Sequence, residues 1–241
     1  MTDDPELAGQ TVVVLGGSSG IGLETARRAR AEGANVILTA REPERLYRVG
    51  LELGAKIAAF DVNDAERLTD FFGELRASID HLLVSGGGPD YVPFADLDTA
   101  GIRRGVERIV LSMRIAVAAK DAVRPTGSLI LIGGTAGRRP SAGPLVSAAT
   151  VSMPALTRSL ALELAPIRVN LIAPGFVDTP LSASLLGGEL DARRAELRAT
   201  LPIRRVVGPA DVAALAVELM SNTAVTGATF DIDGGQQLVE L

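Results

Sequence analysis

The sequence predicts one doubly wound α/β domain of the Rossmann type, with a seven-stranded parallel sheet and helices on both faces. Three observations support this fold class. The chain has 241 residues, a length that suits one α/β domain. Short apolar runs with little alternation recur along it, as in parallel strands that are covered on both faces. Longer stretches with helical spacing separate these runs, and this alternation predicts a parallel sheet with right-handed crossovers.

Seven apolar runs of four to six residues are the predicted strands. No linker rich in Pro, Gly or Ser is long enough to divide the chain, and no internal repeat is present. We therefore expect residues 1–241 to form a single domain. The predicted strands are Thr11–Leu15, Asn35–Thr39, Ala55–Phe60, His81–Val84, Ser128–Ile132, Arg168–Ala173 and Ala228–Ile232.

Three of the segments between these runs have helical patterns. Ile21–Glu32 has an apolar face opposite a row of arginines, and Pro209–Met220 has Pro near its start and an acid in its first turn. The connection Phe176–Leu201 is longer and contains an amphipathic piece from Glu189 to Thr200. Long connections in compact domains are often lids, so residues 176–201 form either a lid or an additional surface helix.

The composition excludes several kinds of site and partner. There is no cysteine, so disulfides and thiolate metal sites are excluded, and the single histidine, His81, leaves little for a histidine-based metal site. A net charge of −5 lacks the basic footprint of a nucleic-acid-binding protein. No apolar run approaches about 18 residues, and Met1–Gln10 is too polar for a signal peptide. We expect no metal, no nucleic acid, no membrane span and a cytoplasmic location.

A glycine-rich turn follows the first predicted strand and opens the first predicted helix. Glycines let the backbone turn sharply and approach a pyrophosphate, and a helix N-terminus supplies free N–H groups. The alternative is an ordinary tight turn, but the position after the first strand favours a dinucleotide site. The predicted contacts are Gly16, Ser18, Ser19, Gly20, Ile21 and Gly22.

The end of the second predicted strand favours NADP over NAD as the ligand. A carboxylate at this place binds the ribose 2′-hydroxyl of NAD, whereas an arginine accommodates the 2′-phosphate of NADP. Here Ala40 is followed by Arg41, and Glu42 opens the next helix. The alternative for Arg41 is an ordinary solvated charge.

Further motifs, in the same order along almost the whole chain, resemble those of the short-chain dehydrogenase/reductase family. Asp61-Val62 resembles the pair that caps the adenine, and Pro174–Thr179 resembles the loop that holds the nicotinamide carboxamide. The resemblance implies an NAD(P)-dependent oxidoreductase acting on a carbonyl or alcohol. It also implies a homodimer or homotetramer that assembles through the two long central helices and through the last helix and strand. The cofactor contacts that it implies are Asp61, Val62, Gly86, Gly87, Pro174, Gly175, Val177 and Thr179.

The catalytic positions depart from the family pattern. The family uses a Tyr, a Lys four residues later, a Ser and an Asn. The chain has two tyrosines, Tyr47 and Tyr91, and neither is followed by a lysine four residues later. We therefore predict that family-type catalysis is weak or lost. The corresponding positions are Val146 for the Tyr, Thr150 for the Lys, Gly133 or Gly134 for the Ser, and Ser112 for the Asn.

Two functions stay open on the sequence alone. One is an NADP-dependent oxidoreductase of unknown substrate, in which substrate positioning or a relocated acid replaces the missing residues. Tyr91, just after the glycine loop that contains Gly86, is the weak candidate for that acid; the alternative is a packing role. The other function is a non-catalytic dinucleotide-binding protein, either a sensor or a partner subunit. His81 is expected to be structural.

Pro154 lies inside the helix that should carry the catalytic pair. Proline removes a backbone N–H and clashes with the carbonyl four residues earlier, here that of Thr150. The sequence predicts either a helix kinked near Thr150 or a helix that restarts with Ser152 as its cap.

Overall fold

The computed structural model describes residues 6–86, 92, 94–139 and 143–239. Seven parallel strands form one sheet in the order β3-β2-β1-β4-β5-β6-β7. This arrangement confirms the predicted fold class. The strands are β1 (Thr11–Leu15), β2 (Asn35–Ala40), β3 (Lys56–Ala59), β4 (Ile79–Val84), β5 (Val123–Ile132), β6 (Arg168–Pro174) and β7 (Thr229–Ile232). The helices are α1 (Gly20–Ala31), α2 (Pro43–Leu53), α3 (Ala65–Glu74), α4 (Thr99–Ala119), α5 (Pro144–Glu163), α6 (Pro180–Leu186), α7 (Leu190–Thr200) and α8 (Pro209–Ser221).

Helices cover both faces of the sheet, and each face has its own apolar core. Alternate residues of β1 point to opposite cores: Val13 packs with Phe72 of α3 and Ile115 of α4, whereas Val12 packs with Ala26 of α1 and Val212 of α8. The central strands β4 and β6 are buried along their whole length, and each carries two buried polar or charged residues among its apolar ones.

The fifth strand begins earlier than its apolar run. The sequence predicts a start at Ser128, but β5 begins at Val123, which pairs with Ile79 of β4. The register shifts between Ile79 and His81, so the pairing is interrupted there. Pro125 and Gly127 fall in this interrupted stretch, and both residue types weaken the sequence signal for a strand.

Helix α5 is continuous through Pro154, so the predicted restart with Ser152 as a cap is wrong. The helix begins at Pro144, and the Oγ of Ser152 donates to the carbonyl of Ala149 at 2.8 Å from within the helix. Buried side chains on both sides of the proline, Ala149 and Met153 among them, pack toward the core. Tertiary packing therefore outweighs the local preference of the proline. The kink near Thr150 stays a prediction.

Helix α5 also bears on the expectation of no membrane span. Among the described helices it alone is long and apolar enough to cross a membrane by length and composition, with a mean hydropathy of 1.3 and 28% of it buried. A helix of a layered domain can meet the same criterion, and α5 contributes Val146, Met153 and Thr157 to the buried interior.

His81 has the predicted structural role, in β4 and far from the carboxyl edge of the sheet. Its ring is 3% exposed, with Nδ1 2.8 Å from Ser128 Oγ and Nε2 2.6 Å from Gln10 Oε1. Burial lowers the pKa of His81 to about 4; the positive charge of Arg168 lowers it as well, whereas Asp80 raises it. The imidazole is therefore neutral near neutral pH and joins β4, β5 and the segment before β1.

Candidate cofactor and catalytic site

The glycine-rich turn lies directly against the end of β4. Gly16 has φ +87°, and a Cβ there would lie 2.8 Å from the backbone nitrogen of Gly86. A Cβ on Gly22 would lie 2.2 Å from the carbonyl oxygen of Gly16. A side chain at either position would collide with backbone atoms, so the turn requires glycine for close backbone approach. This is the local geometry that a pyrophosphate cradle needs.

The start of α1 presents donors at the same edge. Ser19 is the N-cap in an extended conformation, and its side chain makes no capping hydrogen bond. The first N–H groups of a helix have no acceptor within the helix, and the helix dipole favours an anion there. Gly20 faces the loop after β6, since a Cβ on it would lie 3.5 Å from Thr179 Cγ2. Ile21 begins the half-buried face of α1.

The loop after β6 is fixed by the C-terminal segment. Gly175 donates its N–H to the carbonyl of Ile232 at 3.2 Å, and the N–H of Phe176 donates to Gln236 Oε1 at 2.9 Å. A Cβ on Gly175 would lie 2.6 Å from that same Gln236 oxygen. Val177 is buried and forms a bridge with Val207. Gly175, Phe176 and Val177 are thus held by the C-terminal segment and by Val207, and this loop meets the glycine-rich turn at Thr179.

Thr179 has a second role that the sequence did not reveal. It is the N-cap of α6, and its Oγ accepts a hydrogen bond from the N–H of Ser182 at 3.3 Å. The same oxygen lies 3.2 Å from Ser182 Oγ. Its hydroxyl therefore couples α6 to the loop that the family resemblance assigns to the nicotinamide.

The residues predicted for the adenosine end lie after β2 and β3, next to β1 in the sheet. Arg41 follows β2 with an exposed side chain. Asp61 Oδ1 accepts hydrogen bonds from the N–H and the side-chain amide of Asn63, at 2.9 and 3.0 Å. Val62 is partly buried against the core. Two predicted residues, Gly87 and Tyr91, lie outside the described residues.

One contact at this end was missed by the sequence reasoning. Arg45, in the first turn of α2, donates from Nε to Ser18 Oγ at 3.3 Å. Ser18 is 6% exposed, so the contact joins α2 to a buried hydroxyl of the glycine-rich turn. The sequence feature that could have indicated this contact is a second arginine, four residues after Arg41.

The positions that the sequence analysis assigned to the family's Tyr, Lys and Ser lie close together. Val146 and Thr150 are one turn apart on α5, with Val146 buried and Thr150 half-buried. A Cβ on Gly134 would lie 3.5 Å from Thr150 Cγ2, an ordinary contact. A Cβ on Gly133 would instead lie 2.9 Å from Leu171 Cδ1. Of the two alternatives, Gly134 is the position that faces α5.

The hydroxyls near this centre are already engaged or buried. Thr150 Oγ lies 2.9 and 3.1 Å from the carbonyl oxygens of Val146 and Ser147, to which it donates. Thr135 is buried and lies 3.4 Å from the carbonyl oxygen of Pro174. Ser147 Oγ is buried with no hydrogen-bond partner in the described part of the chain. Without a neighbouring base, a hydroxyl pKa is too high for proton transfer near neutral pH.

Ser112, which the sequence analysis assigned to the family's Asn position, lies beneath the same edge of the sheet. It is 4% exposed, and its Oγ donates to the carbonyl of Arg108 at 2.9 Å within α4. The Arg108 guanidinium donates to the carbonyl of Ile132 at the end of β5. A cavity of about 10 Å³, the size of one water, lies here. Its lining residues are Val84, Gly86, Arg108, Leu111, Ser112, Leu131 and Ile132.

The long connection after β6 forms two helices, and side-chain hydrogen bonds connect them to the loop after β6. It contains α6, a short 3₁₀ turn at Gly187–Glu189, and α7. Arg194 of α7 donates to both carboxylate oxygens of Asp178, from Nη2 at 2.7 Å and from Nε at 2.9 Å. The Asp178 N–H donates to the carbonyl of Val207 at 3.0 Å. The lid role of residues 176–201 stays a prediction.

Within the ranges that the structure describes, no group of three or more His, Asp or Glu side chains could hold a metal ion. The described site is made of backbone N–H groups, hydroxyls, arginines and the carboxylates of Asp61 and Asp178. Its parts come from the carboxyl ends of β1 to β6, where open α/β sheets bind ligands.

Comparison with known proteins agrees with this arrangement. A family model described as enoyl-(acyl carrier protein) reductase matches residues 16–237. Galactitol 2-dehydrogenase (L-tagatose-forming) from Cereibacter sphaeroides is 34% identical over 249 residues, which cover 95% of each chain. The structure of BdcA in complex with NADPH is 30% identical over 95% of each chain, with a TM-score of 0.83. A variant of actinorhodin polyketide ketoreductase with NADPH is 28% identical, covers 95% of this chain and 97% of its own, and has a TM-score of 0.85.

These matches span the glycine-rich turn, the sheet and the loop after β6. They extend over nearly the full length of both partners, so they concern the whole domain rather than one motif. The chain belongs to the short-chain dehydrogenase/reductase family.

Proposed function

We propose that this protein is an NADP-dependent oxidoreductase that binds NADP(H) along the carboxyl edge of β1 to β4 and β6. The observation that carries the proposal is the close approach of Gly16 to Gly86 and of Gly20 to Thr179. A Cβ on Gly16 would collide with the backbone of Gly86, and Gly20 has φ +56°, so glycine at these positions gives the turn the tight backbone that a pyrophosphate cradle needs. The residues present therefore fit the group. Two similar proteins, BdcA and actinorhodin polyketide ketoreductase, are described with NADPH.

Each part of the edge has a role in this proposal. The backbone of Gly16–Gly22 and the N-terminus of α1 bind the pyrophosphate. Asp61 and Val62 border the adenine, and Pro174–Thr179 orient the nicotinamide. A bound nicotinamide supplies the hydride, and the protein supplies orientation and electrostatics. Arg41 selects NADP, because no carboxylate stands at Ala40 to bind a ribose 2′-hydroxyl.

Calorimetry should show that NADPH binds at least about tenfold more tightly than NADH, because a charged contact to a phosphate is worth about 1.5–3 kcal/mol. Arg41→Ala should remove much of that preference and leave NADH binding unchanged. Arg28→Ala, on an exposed arginine of α1, is the matched control. Equal affinities of the wild type for the two nucleotides would contradict the Arg41 assignment. Absence of binding of either nucleotide would contradict the site.

We propose further that turnover by the family's usual chemistry is weak. The positions of Tyr and Lys hold Val146 and Thr150, and the Thr150 hydroxyl donates to carbonyls of its own helix. Ser112 is engaged with its helix in the same way. Hydride transfer to a reactive carbonyl can still occur when the substrate is well oriented. These engaged hydroxyls also favour the second candidate, a dinucleotide-binding protein without turnover. NADPH oxidation with a panel of reactive carbonyls separates the two, because only the oxidoreductase shows turnover above the uncatalysed rate.

We also propose that the protein forms a homo-oligomer through α4 and α5. A stripe of apolar side chains on α4 is exposed, including Met113 at 50% and Val117 at 67%. On α5, Val151 is 56% and Leu162 is 80% exposed. Exposed apolar side chains on two helices that pack together are typical of an interface, and such an interface would explain why α5 is so apolar.

Val117→Arg combined with Val151→Arg should convert the oligomer into monomers, because each copy would bring unpaired charges into an apolar interface. Light scattering coupled to size-exclusion chromatography measures the mass. Leu51→Arg, on α2 and 67% exposed in the wild type, is the control and should not change the mass. A monomeric wild type, or a double variant of unchanged mass, would refute this interface.

A further inference from the structure

We infer that Arg45, held by Ser18, is a second ligand for a phosphate on the ribose of the bound dinucleotide. This inference rests on the proposed function, since it assigns a residue to the ribose end of the NADP site. It adds a specificity-determining residue to the one, Arg41, that the sequence indicates. It also predicts that Arg45 contributes more to the preference for NADP than Arg41 does.

The position of Arg45 follows from the start of α2. Glu42 is the N-cap, Pro43 is the first helical residue, and Arg45 is in the first turn. Side chains on a helix lean toward its N-terminus, so the Arg45 side chain is directed back toward the carboxyl edge of the sheet. There its Nε meets Ser18 Oγ at 3.3 Å. The guanidinium therefore lies between the end of β2 and the glycine-rich turn, where a ribose 2′ substituent would lie.

The chemistry of this contact leaves the right donors for a phosphate. Nε donates to Ser18, and the two Nη groups keep four N–H donors in a planar fork that matches phosphate oxygens. Because Ser18 Oγ accepts from Arg45, its own hydroxyl hydrogen is directed toward another acceptor. A phosphate monoester offers that acceptor and carries about −1.5 to −2 charge, which two arginines neutralise.

The neighbouring acids do not compete for these arginines. Glu42 and Glu44 are exposed, and in the described ranges neither forms an ion pair with Arg41 or Arg45. Two cationic side chains therefore lie at the ribose end of the proposed NADP site: Arg41 in the loop after β2 and Arg45 in the first turn of α2.

Arg41 and Arg45 differ in how well they are positioned. Arg41 is exposed and makes no hydrogen bond within the described residues, so binding must order its whole side chain. Arg45 is already fixed at Nε by a hydroxyl that is 6% exposed. Because fixing the Arg45 side chain costs less entropy than fixing that of Arg41, Arg45 should contribute more to the preference for NADPH over NADH.

The test measures nucleotide binding by calorimetry, with no turnover involved. The probes are NADPH, NADH, adenosine 2′,5′-bisphosphate and adenosine 5′-monophosphate. Arg45→Met should weaken the binding of NADPH and of adenosine 2′,5′-bisphosphate about tenfold or more, because the variant loses charge-assisted hydrogen bonds to the phosphate. The affinities for NADH and adenosine 5′-monophosphate, which lack this phosphate, should change less than about twofold. Arg48→Met, on an exposed arginine one turn later in α2, is the matched control and should leave all four affinities unchanged.

A double-mutant cycle with Ser18→Ala tests the positioning role of the hydroxyl. Ser18→Ala should weaken NADPH, and in the Arg45→Met background the same change should have a smaller effect, because the two side chains act as one unit. Thermal melts of each variant confirm that the fold is kept.

The outcomes separate this inference from the proposed function. If Arg45→Met weakens NADPH and NADH equally, Arg45 supports the glycine-rich turn rather than a phosphate, and the inference is overturned. If Arg45→Met leaves NADPH affinity unchanged while Arg41→Met lowers it, the inference is also overturned but the NADP site stands. If the wild type binds neither dinucleotide, the proposed function itself fails.

Discussion

The triple variant Val146→Tyr, Thr150→Lys, Gly134→Ser should reduce a simple reactive ketone with NADPH at least about a hundredfold faster than the wild type. A positioned general acid/base contributes about 10²–10⁴-fold. A free phenol has a pKa of about 10 and exchanges protons poorly at neutral pH. A lysine at position 150 supplies the charge that lowers the phenol pKa, and a serine at position 134 supplies a hydroxyl that orients it.

The geometry of the site permits this reconstruction. Positions 146 and 150 lie on a continuous helix that begins at Pro144, so they present one face with the spacing that a Tyr and a Lys need. A side chain at position 134 meets Thr150 Cγ2 at an ordinary 3.5 Å and Pro174 O at 3.8 Å. Helix α5 is continuous across Pro154. If the predicted kink near Thr150 displaces position 150, Pro154 is replaced as well.

The steps toward the triple variant should be strongly non-additive. Val146→Tyr alone should do little, because its phenol lacks an activating charge. The measurement is the NADPH oxidation rate of the single, double and triple variants at saturating cofactor. Ala148→Tyr with Ser152→Lys is the matched control, since it places the same pair at the same spacing on a different face of α5. That control should remain at the wild-type rate.

Two results would count against this account of the centre. A wild type that already turns over at about 1–10³ s⁻¹, an ordinary enzymatic rate, would show that other residues carry the chemistry. A triple variant that binds NADPH as tightly as the wild type and gains no rate would show that the nicotinamide is not held beside position 146.

Features that depend on neighbours in the sequence were predictable, and features that depend on distant contacts were not. Six of the seven strands begin within two residues of their predicted starts, because short runs rich in apolar residues alternate with helical stretches along the chain. The early part of β5 escaped prediction, because Val123 is a strand residue through its pairing with Ile79. The predicted restart with Ser152 as a cap was wrong for a similar reason, since packing of α5 determines its continuity.

The candidate site shows the same division. Gly16 and Gly22 were predictable, because a glycine-rich turn between a strand and a helix has a local geometric cause. The choice of Gly134 over Gly133 depends on which of them faces Thr150, across two elements. The contact of Arg45 with Ser18 joins residues 27 positions apart and needs the structure to be seen.

Arg168→Met should lower the free energy of unfolding by about 3–5 kcal/mol, the largest stability effect that we expect from a single substitution. Arg168 is 7% exposed and lies at the start of β6. Its Nη1 donates to the carbonyls of Leu219 at 2.8 Å and Val225 at 3.3 Å, and its Nη2 donates to that of Met220 at 2.8 Å. Leu219 and Met220 are in the last turn of α8, where a cation also stabilises the helix dipole. Methionine keeps the volume but leaves these buried carbonyls without their donor.

The same substitution should change the pH dependence of stability through His81. The folded-state pKa of His81 is about 4, below its usual value of about 6.5, so the unfolded chain takes up the proton first as the pH falls. Wild-type stability should therefore decline from about pH 6.5 down to about pH 4, by about 3 kcal/mol in total from this group. Burial is the main cause of the low pKa and the charge of Arg168 the second. Removing that charge raises the folded-state pKa and shortens the interval over which stability is lost.

Urea denaturation at pH 7 and pH 4.5 tests both effects together. At pH 7 the free energy of unfolding of Arg168→Met should be much lower than that of the wild type. At pH 4.5 the difference between the two free energies should be smaller. Arg158→Met, on an exposed arginine of α5, is the control and should follow the wild type at both values. A difference that stays constant between the two pH values would show that the Arg168 charge does not act on His81. A loss below about 1 kcal/mol at pH 7, no more than one ordinary hydrogen bond, would show that water replaces the guanidinium at the end of α8. Water near His81 would also reduce the desolvation that lowers the pKa of this residue. The folded-state pKa of His81 in the Arg168→Met variant should then lie closer to its usual value of about 6.5.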